Sequence, residues 1–374
     1  MPSVTLIFDL VFVLISLLLF FTYIGYPLAL AIVSGRFSSE TFVPVTAISV
    51  SVVIASLPHE HFLERKVRNI FESCADFDLR KLVVALDGSS ETSMQMLTKL
   101  QQEVPALEVL ELPALGKAAA LNAGVELTVS DVVIFTDVRQ TVSRTAVRSL
   151  LAPFSAPQVG AVTGILVVDA NNSGEAVKTE IESRIRLLES RNGSSIGAAG
   201  AFYAVRRSLI PKLPIGTLLD DMYIPMHVIK QGFRVIAVAD AKAVDRILPT
   251  PSQEFRRKVR TLTGNYQLVR HMPWLLSRQN PVWFRFFAHK LLRLLSPILL
   301  LILLFTSAMS TAAAHRFALA VQIVFYGAAV ASPLISKGWL GRVCNLCFTF
   351  CLLNAAALVA LLNFVRGREE VWTS

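Results

Sequence analysis

"DVVIFTDVRQ", Asp131–Gln140, is an apolar run that closes on an acid, a small residue and then an arginine. Val132, Val133, Ile134 and Phe135 read as a buried strand that delivers Asp137 to its carboxyl end. An acid-x-acid pair at that place suits a metal-bound diphosphate. Here Arg139 stands where the second carboxylate would be. What that arginine does depends on the chain around it.

Upstream, "TAISVSVVIAS" (Thr46–Ser56) is a second β-branched run, and "EHFLERKVRNIFESC" places Phe62, Leu63, Val67, Ile70 and Phe71 at helical spacing. "KLVVALDGSS" (Lys81–Ser90) is another strand, ending in acid-Gly-Ser-Ser, and a helix follows from about Thr92 to Val104. "LEVLEL" (Leu107–Leu112) is a short strand, and "GKAAALNAGVELT" opens on Gly116 and Lys117 and continues as a helix. This alternation predicts a parallel α/β sheet with helices on both faces. Ligands of such sheets sit beyond the carboxyl ends of the strands, where Asp87 and Asp137 both fall. A carboxylate there accepts from a base or ribose hydroxyl, or holds a hard cation through oxygen. Gly88-Ser89-Ser90 offers backbone N–H groups and hydroxyls, and the helix opened by Gly116-Lys117 favours negative charge at its start. The set fits a nucleotide diphosphate. The bland alternative is that these acids cap helices and end turns.

The 374 residues are 53% hydrophobic, and the apolar ones are concentrated at the two ends. Val4 to Val33 carries one charge, Asp9, over a length sufficient to cross a bilayer. It lacks the basic start of a signal peptide. Three further spans are predicted near Leu291–Ala313, Phe317–Ile335 and Val343–Phe364. Between them residues 36–290 hold 30 of the 36 Lys and Arg, which by the positive-inside rule puts this part in the cytoplasm. Four spans then leave Arg366 and Arg368 outside, partly offset by Glu369 and Glu370. Residues 271–290 mix Trp274, Trp283, Phe284 and Phe287 with Arg278, Arg285 and Lys290, as suits a segment lying in the membrane interface. The net charge of +9 is accounted for by topology and anionic headgroups, and its scatter argues against nucleic acid. Cys344, Cys347 and Cys351 fall inside the last span with no further metal ligands, and read as packing residues.

In order and spacing, "VSVVIAS", "LDGSS", "GKAAALNAGV", "IFTDVRQ", "GAAGAFYAVRRSL", "LLDDMYIPMHVIKQGFRV", "EFRRKVRTLTGNYQ" and "AHKLLRLLSP" resemble the family 2 glycosyltransferases. The resemblance implies a Rossmann-like GT-A domain over 36–270, anchored by an N-terminal helix (4–33) and about three C-terminal helices (291–364). It implies an inverting transfer from a nucleotide-diphosphate sugar to a lipid-linked or saccharide acceptor at the plasma membrane, with Mg²⁺ or Mn²⁺. It places Asp87 and Gly88 at the base, Lys117 and Asn122 near the nucleotide sugar, and Asp137 at the metal. Asp220-Asp221 resembles the acid pair whose second member is the catalytic base, and an inverting attack independently requires a carboxylate to take the hydroxyl proton. "RRKVRT" resembles the Gln-x-x-Arg-Trp motif, with Arg257 for the glutamine, Thr261 for the tryptophan and Arg260 kept. These charges suit a leaving diphosphate, or equally a headgroup-facing surface. Arg139 leaves three readings: Asp137 binds the metal with water, Arg139 replaces the metal's charge, or activity is lost. A processive polysaccharide synthase and a non-catalytic partner of an envelope complex are the competing functions.

Overall fold

The computed structural model describes residues 2–35, 42–43, 47–58, 61–88, 90–168, 174–246, 250–335 and 337–367. Arg36, Thr46, Glu60, Ser89 and Arg368-Glu369-Glu370, used above, lie outside the described residues. The chain opens with α1 (Pro2–Phe20), which passes through a π-helical turn at Phe21–Gly25 into α2 (Tyr26–Ser34). Next come β1 (Ser49–Ser56), α3 (Leu63–Ser73), β2 (Asp78–Asp87), α4 (Glu91–Glu103), β3 (Leu107–Leu112), α5 (Lys117–Glu126) and β4 (Val132–Thr136), in the alternation predicted. β5 (Thr141–Val142), α6 (Arg144–Leu151), β6 (Val159–Val168), α7 (Gly174–Arg191) and β7 (Phe202–Arg206) follow. The domain closes with α8 (Asp220–Lys230), β8 (Arg234–Asp245) and α9 (Pro251–His271). After it, α10 (Trp283–Phe286) runs through a second π-helical turn, Phe287–Leu291, into α11 (Leu292–Met309), then α12 (Ala313–Ala331) and α13 (Gly338–Val365).

The eight strands form one sheet in the order β3-β2-β1-β4-β7-β6-β8-β5. β3, β2, β1 and β4 are parallel neighbours. β7 then runs antiparallel to both β4 and β6, and β5 antiparallel to β8. The sheet is therefore mixed: the parallel pairing expected from alternation runs through its first half, and in the second half holds for β6 with β8. Hydrophobic periodicity carries no direction, so a strand such as "FYAVR" reads the same either way. One face packs Val52, Ile54 and Val84 on Leu63 and Val67 of α3 and Leu97 of α4. The other packs Val53, Val83 and Phe135 on Ala120 and Leu121 of α5 and Met226 of α8. Burying each such valine or leucine is worth about 1.5–3 kcal/mol, which fixes the level at which every strand ends.

Among the described residues, four helices are long and apolar enough to cross a membrane: Leu6–Ser34, Trp283–Met309, Ala313–Ala331 and Gly338–Val365. The second begins at Trp283, so the aromatic and basic residues 283–290 form its first turns, while Pro273–Leu276 makes a separate 3-10 turn. Their outer faces leave Leu10, Phe317 and Val324 exposed. Two contacts seat the domain on these helices. Tyr266 of α9 stacks on Phe364 of α13 with ring centroids 5.4 Å apart. Glu189 of α7, 1% exposed, accepts from Tyr26 Oη at 2.7 Å and meets His289 Nδ1 at 2.9 Å. Cys344 and Cys347 are buried in α13, and all four cysteines are free.

Gly164 sits where the β6–β8 register shifts, and a Cβ there would meet the backbone oxygen of Ala241 and the Phe202 ring. Gly164→Ala should lower stability by about 1–3 kcal/mol, the usual cost of overpacking. Thermal unfolding of the detergent-solubilised chain measures it, and an unchanged midpoint would contradict the tight β6–β8 contact.

Candidate active site

Asp87 ends β2, is 5% exposed, and spends both oxygens on backbone. It accepts from Leu115 N at 2.8 Å and from Gly116 N at 2.9 and 3.0 Å. That bond set fixes the turn into α5, where Gly116 has φ +93°, a conformation that L side chains rarely adopt. Lys117 follows as the first residue of α5, and its Nζ lies 3.1 Å from Asp137 Oδ1 and 3.1 Å from Asp220 Oδ1. Strand β4 supplies Asp137, and the first turn of α8 supplies Asp220 and Asp221, where the helix N-terminus favours acids. Tyr203 Oη donates to Asp220 Oδ2 at 3.1 Å, and the Asp221 carbonyl accepts from Ala198 N at 2.8 Å.

Two carboxylates thus meet one ammonium, and the charge of a third, Asp221, also acts on it. Burial alone would lower Lys117, but Asp137, Asp220 and Asp221 hold it well above the usual lysine range. Burial and the neighbouring Asp220 push Asp221 up to about 6, against the pull of Lys117. Tyr203 is likewise raised far above its ordinary value, by burial and then by Asp220 and Asp221. Asp221 is the group of this cluster poised to exchange a proton near neutrality.

The cluster opens on a cavity of about 440 Å³, walled by Ser56 of β1, by Asp137–Gln140, by Ala198–Ala201 and by Arg257, Lys258 and Arg260 of α9. Arg257 pairs with Glu254 at 2.7 Å. Gly88 and Asn122 stand apart from this wall. Asn122 Nδ2 donates to the Leu213 carbonyl at 2.8 Å and its Oδ1 accepts from Leu213 N at 2.9 Å, tying α5 to the chain after β7. Arg139 turns from Asp137 to Asp245 of β8, with Nη2 2.9 Å from Oδ2. Asp245 is 4% exposed, an interior acid, and Gln140 Nε2 also donates to it at 2.8 Å. Asp137 therefore stands as the single acid of its motif, half-exposed to the cavity.

Lys66 was not among the residues singled out in the sequence. It is 0% exposed and donates to Thr136 Oγ1 at 2.7 Å and to the Gln140 carbonyl at 2.8 Å, bracing the Asp137 loop from beneath. Its signal was present, since 63, 66, 67 and 70 form one helical stripe, but it was hidden in the charged run "ERKVR". Burial pushes its ammonium down to about 7, with Asp137 opposing. Glu182 of α7 was missed too. Burial would raise it, but Lys258, Lys178, Lys290 and Arg293 hold it well below the usual carboxylate range.

A Rossmann-like half followed by a mixed half, with an acid at the end of β4 and an acid pair opening α8, is the GT-A fold. The Glycosyl transferase family 2 model matches residues 51–213, from β1 to the chain after β7. A mannosyltransferase from Pyrobaculum calidifontis, solved in complex with GDP-Man and Mn²⁺, is 19% identical with a TM-score of 0.72. The match covers 96% of this chain and 100% of that one, so it takes in the apolar helices as well as the sheet. A glucosyl-3-phosphoglycerate synthase from Mycobacterium tuberculosis is 16% identical, covering 59% of this chain and 80% of its own, with a TM-score of 0.42. No curated protein matches the sequence.

Lys66→Met removes both bonds under the Asp137 loop. Because the folded-state value near 7 lies below the ordinary 10.5, the unfolded chain binds more protons between them, and wild type gains stability as pH rises through that window. The variant should lack this gain, so its deficit in unfolding midpoint should widen from pH 7 to pH 10. A constant deficit would mean that Lys66 is charged in the fold.

Proposed function

We propose that the chain is a membrane-bound inverting glycosyltransferase that moves a sugar from a nucleotide-diphosphate donor to a lipid-linked or saccharide acceptor. The observation that carries this reading is the meeting of Asp137 and Asp220 at Lys117, with the charge of Asp221 also acting on it, at the mouth of one cavity. The donor lies over the carboxyl ends of β1, β2 and β4, with Asp87 and Gly88 on the base side and Lys117 beside the sugar and diphosphate. Asn122 supports this arrangement by holding α5 in place.

In the transfer, an acceptor hydroxyl attacks the anomeric carbon from the face opposite the diphosphate. The new C–O bond forms as the old one breaks, and its electron pair leaves on the diphosphate oxygen. The hydroxyl proton goes to Asp221, whose raised value suits it to take a proton and release it again. Asp220 bonds to Lys117 and Tyr203 and keeps the pair in register. Arg260, with Arg257, meets the charge growing on the diphosphate.

A divalent cation, Mg²⁺ or Mn²⁺, fits here in one way only. Among the described residues no group of three His, Cys, Asp or Glu can cage a metal. Asp137 commits one oxygen to Lys117 and leaves the other toward the cavity. That suits an ion held by Asp137, the donor's phosphates and water, the usual arrangement for magnesium. When bound, the ion neutralises diphosphate charge. The basic excess of residues 36–290 supports a cytoplasmic position for the site, beneath four helices in the plasma membrane.

Asp221→Asn should lower turnover by about a hundredfold or more while nucleotide binding, read by calorimetry, stays within a factor of about three. In wild type, kcat/KM should rise as pH climbs through about 6, because Asp221 works when ionised. The same raised value costs the fold stability as pH rises through about 4 to 6, so Asp221→Asn should unfold at a higher temperature than wild type at pH 8. An equal or lower midpoint, together with unchanged turnover, removes Asp221 from the mechanism. Separately, EDTA should abolish transfer and Mn²⁺ restore it. Activity surviving EDTA excludes the cation.

A further inference from the structure

A second cavity, of about 430 Å³, adjoins the first and shares Glu182, Ala198, Asp221, Lys258 and Thr261 with it. Its lining has three parts. Asp221, Glu182 and Lys258 are shared with the first cavity. Lys290 and Arg293 join Lys258 in facing Glu182. The rest includes an apolar wall, with Tyr23 and Pro27 from the N-terminal span, Leu294 from α11, and Leu346, Phe350 and Leu353 from α13.

Two features show that the charged part is unfinished. Arg293 Nε and the Oδ1 of Asn265 are buried without a hydrogen-bond partner, and Asn265 is only 5% exposed. A buried polar atom left unpaired costs about 1–3 kcal/mol, so an occupant that pairs with both is favoured. Lys258 pairs with Glu254 at 3.4 Å, and five cations line the cavity against three acids, Glu182, Glu189 and Asp221. In addition, both π-helical turns among the described residues border this cavity, one carrying Tyr23 and the other His289 and Lys290. Such turns swing side chains out of the ordinary helical register and are common at ligand sites.

We propose that this cavity seats the acceptor, and that the acceptor is a lipid whose hydroxyl-bearing headgroup is joined to its tail through a phosphate. The hydroxyl meets Asp221, the phosphate meets Lys258, Lys290 and Arg293, and the tail lies along Tyr23, Leu294, Phe350 and Leu353. The mixed lining selects this chemistry. A free saccharide leaves the apolar wall unused, and a neutral glycolipid leaves Arg293 Nε unpaired. The phosphate stays bonded to the lipid throughout, because the sugar is added to the hydroxyl. The inference rests on the transfer reading for the role of Asp221, but its lipid site is tested without transfer.

The probes are phosphatidylglycerol, a neutral monoglucosyl diacylglycerol with the same acyl chains, and tail-less glycerol phosphate. Retention on the full detergent-solubilised chain is read by native mass spectrometry with no donor present. Wild type should retain phosphatidylglycerol at least tenfold better than the neutral lipid. Lys290→Gln with Arg293→Gln should bring the two to parity, and Leu353→Trp, which fills the tail end and leaves the cations, should lower retention of both lipids. Nucleotide affinity should stay unchanged in each variant. Equal retention in wild type, insensitivity to either variant, or displacement by glycerol phosphate at equal concentration would overturn the proposal. If Asp221→Asn keeps full turnover while lipid preference persists, the base assignment fails and the lipid site stands.

Discussion

One ammonium holds the site together. Asp137 and the Asp220-Asp221 pair come from elements separated in the chain by β5, β6 and β7, and like charges so close repel in a dry interior. Lys117 makes their approach favourable. Its own place is set one step back, by Asp87 gripping the backbone of Leu115 and Gly116, so that α5 begins where the ammonium falls between two carboxylates. Asp87 therefore shapes the site through backbone, whatever else it contacts. The fixed cation also leaves the acids unequal. Asp220 and Asp137 bond to it directly, while Asp221, next to Asp220, is pushed up to about 6.

The arginine that breaks the acid-x-acid pattern is absorbed by the same logic. Its guanidinium is matched to Asp245, an interior acid at the end of β8, so its charge is largely satisfied before any ligand arrives. Positive charge for a diphosphate must then come mainly from Lys117 and from α9. The helix carries it well. Glu254 pairs with Lys178, Arg257 and Lys258, which leaves Arg260 on the cavity wall as the cation least committed to Glu254.

The first half of the domain was legible because short β-branched runs and amphipathic helices alternate there with little interruption. Strand ends, and with them Asp87 and Asp137, followed directly. The direction of β7 was not legible, since "FYAVR" has no directional signal and its partners are chosen by the long helix before it. Arg139's partner was equally hidden, because Asp245 lies 106 residues away and only the sheet brings them together. Lys66 illustrates a subtler failure: a lysine in a charged run reads as solvated, and only its place in the 63-66-67-70 stripe marks it as interior. The second cavity could not be read at all, as its walls are drawn from α7, α9 and the apolar helices at both ends of the chain.

Glu189 bears on how the chain comes together during synthesis. Its carboxylate is bonded to Tyr26, 163 residues earlier, and to His289, 100 residues later. The N-terminal helix is thus made first but finds its docking partners only in stages, and the last of them emerges after the whole sheet. Until then a carboxylate destined for a nearly waterless position has half of its bonds missing. Translation order leaves the sheet able to fold early, while the joint between sheet and membrane closes last. A chain stopped short of Trp283 would keep every strand and still lack the histidine that completes this joint.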